Sequence, residues 1–335
     1  MLKGAIIGVG KIAQEGHLPA FLDPEIACSA EIVAAVDNNA ETVRLARAKF
    51  PGIMYYSSVD EMFSREDVDF IDISSPPGTH ASLIEEGIRR GVHILCEKPF
   101  VLSPFDAERL YPVLTEDPKV FMPVHQYKYS PIWRTFRSEV PEDSLKKSLL
   151  QFNVFRTEAD KGIAPLGARW RTNPLISGGG ILSDTGVHYL YLALWMFGEA
   201  RKVTSKIFSI SHTDYSVEDT ALVLLEFDKG IAQISLTWGA DRRANSACLV
   251  NDSMSLVYNG TELIKHSQQG SLKIPVPDAS DKKNYVALYV SLISDFLGQI
   301  TSGIKDNCHL DEAYKSIRLL HSCYRAAELN QTIAV

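Results

Sequence analysis

The apolar positions of this chain come in two textures. In the first third, short apolar runs at residues 5–7, 32–36, 68–73 and 92–96 are bounded by turn residues. The first three lead into stretches with apolar residues at helical spacing. Strands alternating with amphipathic helices predict a parallel sheet with helices on both faces. After about Pro123 the segments lengthen and become richer in β-formers, as in "SLLQFNVFRTE", "RKVTSKIFSISH" and "DTALVLLEFDKGIAQISLTWGA". Asp228-Lys229-Gly230 between two apolar runs predicts a hairpin. This texture predicts a large, mostly antiparallel open sheet, one face covered by helices at about 184–197, 282–303 and 309–329. The expected fold class is α/β: a doubly wound parallel sheet over residues 1–122, then an α+β domain over 123–335.

The first apolar run ends in the turn G-V-G-K-I-A, residues 8–13. Gly8 permits a tight turn, and Gly10 lets a pyrophosphate approach the backbone. Lys11 and Ile12 open a helix whose N-terminus carries partial positive charge, and small Ala13 lets that helix pack on the strand. The second run ends at Asp37, 24 residues past Ala13, near the offset of a ribose-binding acid. Asp37 also reads as a turn residue or helix cap. Strand, glycine turn, helix and strand together favour a Rossmann dinucleotide site. A carboxylate at 37 repels a 2′-phosphate, and Asn38 and Asn39 follow it rather than an arginine. NAD is therefore favoured; Arg44, further along the next helix, keeps NADP open. The loop 74–80, with Ser75, Pro76 and His80, and the tripeptide Glu97-Lys98-Pro99 follow two further strands, at the edge where ligands bind in such sheets.

Composition narrows the partners. The 335 residues carry a formal net charge of −7, which argues against nucleic acid. The five cysteines form no C-x-x-C pair, so buried thiols in a reducing cytosol are expected rather than disulfides or a metal site. The longest apolar stretch, "VHYLYLALWMFG", falls short of the ~20 residues of a membrane span. These features predict a soluble, cytoplasmic protein that acts on a small molecule.

The stretch "GGGILSDTGVH", residues 178–188, places three glycines before Asp184 and His188. Glycines are poor helix formers and read as a flexible hinge that lets the backbone pass close to something. Asp184 and His188, at i and i+4, share a helix face. An N-terminal Asp that merely stabilises its helix, followed by an incidental His, is an equal reading of the spacing. Just upstream, Arg169, Trp170 and Arg171 offer an aromatic face and positive charge to a sugar or its acid; Tyr127 and Tyr129 are further candidates. Ordinary packing explains each equally well, and Trp238 with Arg242 and Arg243 is weaker still.

G-V-G-K-I-A, S-P-P-G-T-H, E-K-P and G-G-G-I-L-S-D-T-G-V-H, in this order, resemble the glucose–fructose oxidoreductase / inositol dehydrogenase / rhizopine catabolism (Gfo/Idh/MocA) family. The resemblance spans essentially the whole chain. It implies a nicotinamide cofactor, hydride transfer at a hydroxyl or carbonyl carbon of a sugar, polyol or derivative, and a homodimer or homotetramer paired through the open sheet face. It matches Lys98, Asp184 and His188 to the family's catalytic groups, and His80 and Glu97 to positions near the cofactor. The family's G-x-N-x-R-F element is replaced by "PVHQYKYSP", with Gln126 where Asn is usual. Gln126 still offers an amide to the cofactor. Two alternatives share the frame: a redox-neutral NAD-dependent glycosidase, and a non-enzymatic dinucleotide-binding regulator.

Overall fold

The computed structural model describes residues 1–142, 147–163, 167–276 and 284–335. The chain forms two compact units, each assembled from separate stretches of sequence. The first holds Met1–Gln126, Asp160–Trp170 and Tyr285–Asp311.

Its sheet contains β1 (Leu2–Ile7), β2 (Ala30–Val36), β3 (Met54–Tyr56), β4 (Phe70–Ile73), β5 (His93–Cys96) and β6 (Phe121–Pro123), in the order β3-β2-β1-β4-β5-β6. All the pairings are parallel. This is the doubly wound order, whose direction reverses between β1 and β4. Strands of a parallel sheet are covered on both faces, and all four residues of β4 are buried. Ile6, Val9, Ala13, Leu18, Ala35 and Ala46 form one core cluster. The helix Tyr285–Ser302 packs Phe296 edge-on against Phe70 of β4, with ring centroids 5.7 Å apart. This helix, expected on the large open sheet, instead completes the first unit, because its apolar side chains pack on the Rossmann sheet.

The second unit holds Tyr127–Ala159, Arg171–Asn284 and Glu312–Val335. Its nine strands are β7 (Ser148–Phe155), β8 (Ala200–Phe208), β9 (Thr220–Phe227), β10 (Gly230–Thr237), β11 (Ala244–Val250), β12 (Met254–Tyr258), β13 (Leu263–Ser267), β14 (Gly270–Ile274) and β15 (Ile333–Ala334). They run in the order β14-β13-β12-β11-β7-β10-β9-β8-β15, antiparallel throughout except for β7 beside β10. The expected hairpin joins β9 to β10. The strands alternate buried and exposed positions, as a sheet covered on one face must. The covering helix Val187–Phe197 is apolar nearly all round and almost wholly buried. Its Tyr189 meets Phe152 of β7 at 5.1 Å, and its Phe197 meets Phe227 of β9 at 5.4 Å. Trp238, a weak candidate for the site, is 1% exposed and belongs to this core.

Candidate active site

In the first unit, the glycine turn lies at the switch between β1 and β4. Gly8 has φ +92°, and a Cβ there would sit 2.6 Å from the Ser75 backbone nitrogen. Both facts require glycine. Gly10 differs: a Cβ there would meet nothing within 4 Å. Its surroundings are open, as the approach of a pyrophosphate to the backbone requires. The helix at 11–21 begins there, and the N–H groups of its first turn point out of its start. Ser74 Oγ donates to the Gly8 carbonyl at 2.7 Å, tying the loop after β4 to the turn after β1.

Asp37 serves the same turn. One oxygen accepts from Val9 N at 2.9 Å and the other from Asn39 N at 2.8 Å. Each carboxylate oxygen keeps further acceptor capacity for a ribose hydroxyl. The cap of the next helix is Asn39, which accepts from Glu41 N and Thr42 N. Asn38 is exposed beside it. Arg44, the cation that left NADP open, is held on both Glu41 oxygens at 2.8 and 2.7 Å. Lys11 is paired with Asp160 at 2.6 Å, and Ile12 stands in the helix start before Ala13. These residues fit a dinucleotide: open backbone at Gly10, a helix N-terminus for phosphates, and a carboxylate at the end of β2.

Around the strand ends, Ser75 Oγ bonds Thr79 Oγ1 at 2.7 Å, and Pro76 leads into the turn Pro77–Thr79. His80 is fully buried, with Nδ1 2.9 Å from the Pro99 carbonyl and Nε2 2.9 Å from the Ser75 carbonyl. It pins the loop after β4 to the turn after β5, and burial lowers its pKa. Glu97 is 5% exposed and Lys98 is half-buried beside it.

Beneath these loops lies a buried charge cluster that sequence reasoning missed. His17 Nδ1 is 2.7 Å from Asp72 Oδ2, and its Nε2 is 3.1 Å from Glu97 Oε1. The Tyr289 hydroxyl donates to Glu97 Oε1 at 2.9 Å, and Gln126 Nε2 donates to that hydroxyl at 3.4 Å. Gln126, called as a cofactor contact, is 2% exposed and faces this cluster. Burial alone would push His17 toward neutrality, but Asp72 and then Glu97 outweigh it and raise its pKa to about 10. Burial would likewise raise Glu97; the hydrogen bond and charge of His17, then the charge of Lys98, hold it below the usual carboxylate range. Asp72 goes the other way, raised by burial against the pull of His17. One signal was available: an aspartate within an otherwise apolar strand, buried on both faces, needs a charged or hydrogen-bonded partner.

In the second unit, Gly178 ends the short helix Pro174–Ser177 with φ +73°, and Gly179 and Gly180 mark close packing rather than a hinge. A Cβ on Gly180 would lie 1.8 Å from the Glu218 carbonyl oxygen, and one on Gly179 would lie 1.9 Å from the Tyr324 hydroxyl. Glu218 accepts from Gly180 N at 2.8 Å, from Leu182 N at 3.1 Å and from Tyr324 Oη at 2.8 Å. The backbone does pass close to something, but that something is the protein itself. Glycine is required because a buried glutamate clasps the start of the helix.

That helix begins with a wide turn, Leu182–Gly186, of the i→i+5 kind often found at functional sites. Arg171 Nε donates to Asp184 Oδ1 at 3.2 Å. His188 is 7% exposed, with Nδ1 3.1 Å from the Tyr191 hydroxyl and its ring stacked on Tyr127 at 4.4 Å. The Tyr191 hydroxyl accepts from Tyr127 N at 3.2 Å. Arg171, Asp184, His188 and Tyr127 thus lie along one short stretch of the second unit. Tyr129 is half-buried beneath the Arg134 guanidinium, 5.4 Å from its ring. Trp170 is half-buried and groups with the first unit, whereas Arg171 groups with the second. The side chain of Arg169 lies outside the described residues.

Residues 2–125 match the family described as "Oxidoreductase family, NAD-binding Rossmann fold", and residues 151–257 match the GFO/IDH/MocA C-terminal domain. The chain belongs to the GFO/IDH/MocA family. It is similar to D-apiose dehydrogenase of Paraburkholderia graminis, 29% identical over 245 residues, which cover 72% of this chain and 62% of that enzyme. Among solved structures it resembles an oxidoreductase from Agrobacterium radiobacter in complex with NAD+, L-tartaric acid and magnesium. The TM-score is 0.85 at 18% identity, covering 99% of this chain and 98% of that one. Levoglucosan dehydrogenase in complex with NADH and levoglucosan gives a TM-score of 0.83 at 18% identity, covering 100% of this chain and 99% of that one. These two likenesses establish the fold, a parallel Rossmann sheet plus a mostly antiparallel sheet.

Proposed function

We propose that this GFO/IDH/MocA protein is an NAD-dependent oxidoreductase acting on a CH–OH or carbonyl carbon of a sugar, polyol or sugar derivative. The observation that carries this reading is the turn after β1. Gly8 is locked against Ser75, Gly10 opens to solvent space, and Asp37 is fixed at the end of β2 by Val9 N and Asn39 N. The named relative, a dehydrogenase of the sugar D-apiose, supports the substrate class. Asp37, with Arg44 engaged by Glu41, supports NAD over NADP.

When bound, NAD supplies the hydride acceptor. This chain's own residues handle the proton and the charge. His188 is placed on the Tyr191 hydroxyl by Nδ1; its Nε2 is the atom assigned to take the substrate's hydroxyl proton. Lys98 supplies fixed positive charge for the developing alkoxide. Asp184, held by Arg171, supports the charge that His188 gains. Tyr127, Tyr129, Arg169, Trp170 and Arg171 are the proposed substrate contacts.

The outer face of the nine-stranded sheet supports the expected homodimer or homotetramer. Val250, Leu149 and Ile231 lie side by side on adjacent strands and are 37%, 38% and 41% exposed. No helix among the described residues is long and apolar enough to cross a membrane. Among the described residues Cys28, Cys96, Cys248, Cys308 and Cys323 form no disulfide, which fits a cytoplasmic location.

The test is a screen of purified protein with NAD or NADP against free sugars, polyols, sugar acids and nucleotide sugars, read as reduced-nicotinamide absorbance. Turnover with one compound class and a preference for NAD is the expected result. Dinucleotide binding with no turnover in either direction across the panel would overturn it.

A further inference from the structure

We infer that His17 is a positioning residue for the reaction: clamped between Asp72 and Glu97, it fixes the Glu97 carboxylate and, through it, the turn that carries Lys98. This rests on the role proposed above for Lys98.

The geometry assigns each Glu97 oxygen a task. Oε1 receives His17 Nε2 at 3.1 Å and the Tyr289 hydroxyl at 2.9 Å. Oε2 accepts the backbone N–H of Lys98 itself at 3.1 Å. The carboxylate therefore closes the first peptide of the turn after β5 only while its other end is held. His17 comes from the helix that follows the glycine turn, and Asp72 comes from β4, the strand beside β5. One imidazole thus ties the helix at the proposed phosphate site to the turn at the proposed reaction site. His17 and Asp72 are both fully buried, and the Tyr289 ring lies 4.5 Å from the imidazole.

Stability alone does not explain such a cluster. A buried ion pair is often matched or bettered by apolar residues of the same shape. What apolar residues cannot do is orient a carboxylate against one particular N–H. The charge state agrees with the clamp: flanked by two carboxylates, His17 is held protonated across the neutral range, so both ring nitrogens donate.

The test uses the full-length protein labelled with 15N-lysine and 15N-histidine. In the wild type, both His17 ring nitrogens should remain protonated at pH 8.5. In His17→Gln, amide exchange at Lys98 should accelerate at least tenfold while other lysine amides stay unchanged. On a substrate found in the screen, kcat should fall at least tenfold with KM within twofold. Because His17→Gln leaves Asp72 unpaired, His17→Gln/Asp72→Asn is made in parallel. This double variant should recover thermal stability but not kcat. Recovery of kcat along with stability would overturn the proposal, since a merely structural histidine predicts that result. An unchanged Lys98 amide in His17→Gln would overturn it as well. If the wild type turns over no substrate, or Lys98→Ala is fully active, the functional reading fails separately, and the clamp is judged on the exchange rates alone.

Discussion

His17 ends a wide helical turn that follows the glycines after β1. His188 follows a wide helical turn that comes after the glycines at 178–180. Both histidines are at least nine-tenths buried, yet their partners differ in kind. His17 lies between two carboxylates, one on β4 and one just past the end of β5. His188 lies against two tyrosines, one a hydrogen-bond partner and one a stacked ring. A histidine held by two carboxylates is a fixed cation and a poor proton carrier. A histidine held by a hydroxyl can give and take a proton. Local sequence grammar does not separate the two cases; the charge on the elements packed above does.

Four experiments sharpen that contrast. The largest effect is expected from His17→Leu, which leaves Asp72 and Glu97 buried without their cation. Breaking such a cluster should lower stability by about 3–5 kcal/mol, read by urea unfolding. His188→Leu removes the hydrogen bond to the Tyr191 hydroxyl and the stack on Tyr127 and should lose less.

Activity should show the reverse order of specificity. His188→Ala should lower turnover about a hundredfold or more, as expected for a lost general base, with dinucleotide affinity kept. Near-wild-type turnover in that variant would remove His188 from the mechanism.

The two glycine turns make the third contrast. Gly180→Ala drives a methyl into the Glu218 carbonyl and should cost about 1–3 kcal/mol of stability. Gly10→Ala meets open space and should change stability by less than about 0.5 kcal/mol while weakening NAD binding in calorimetry. If Gly10→Ala binds NAD as the wild type does, the phosphate site is elsewhere.

The last contrast is a slope. The folded-state pKa of His17, about 10, lies above its ordinary 6.5. Its contribution to stability is therefore complete below pH ~6.5 and is lost as pH rises through about 10. Melting temperatures measured from pH 6 to 10 should fall for the wild type, and the fall should be shallower in His17→Gln.

Much of this was readable from residue order. The β1, β2, β4 and β5 strands are short apolar runs between turns, and a parallel sheet requires that pattern because both of its faces are covered. The glycine turn and Asp37 were legible because their spacing is local: strand, turn, helix and strand follow one another directly. The hairpin at 228–230 and the helix covering the large sheet were legible for the same reason. The stretch 178–188 was half legible. Its glycines do mark a close backbone approach, but the approaching groups, Glu218 and Tyr324, lie 38 or more residues away in sequence.

The clamp was legible only as a demand: Asp72 in an apolar strand needs a partner, but residue order does not say that the partner is His17. His17, Asp72, Glu97 and Tyr289 lie up to 272 positions apart and share no motif. Periodicity and spacing are set by what each backbone segment can do alone, so residue order determined the strands, the glycine turn and the helix that carries Asp184 and His188. Burial of charge is set by which segments meet. Only the packed fold decided that one histidine is held by two carboxylates and the other by a tyrosine hydroxyl, and that Gly179 and Gly180 sit against Tyr324 and Glu218.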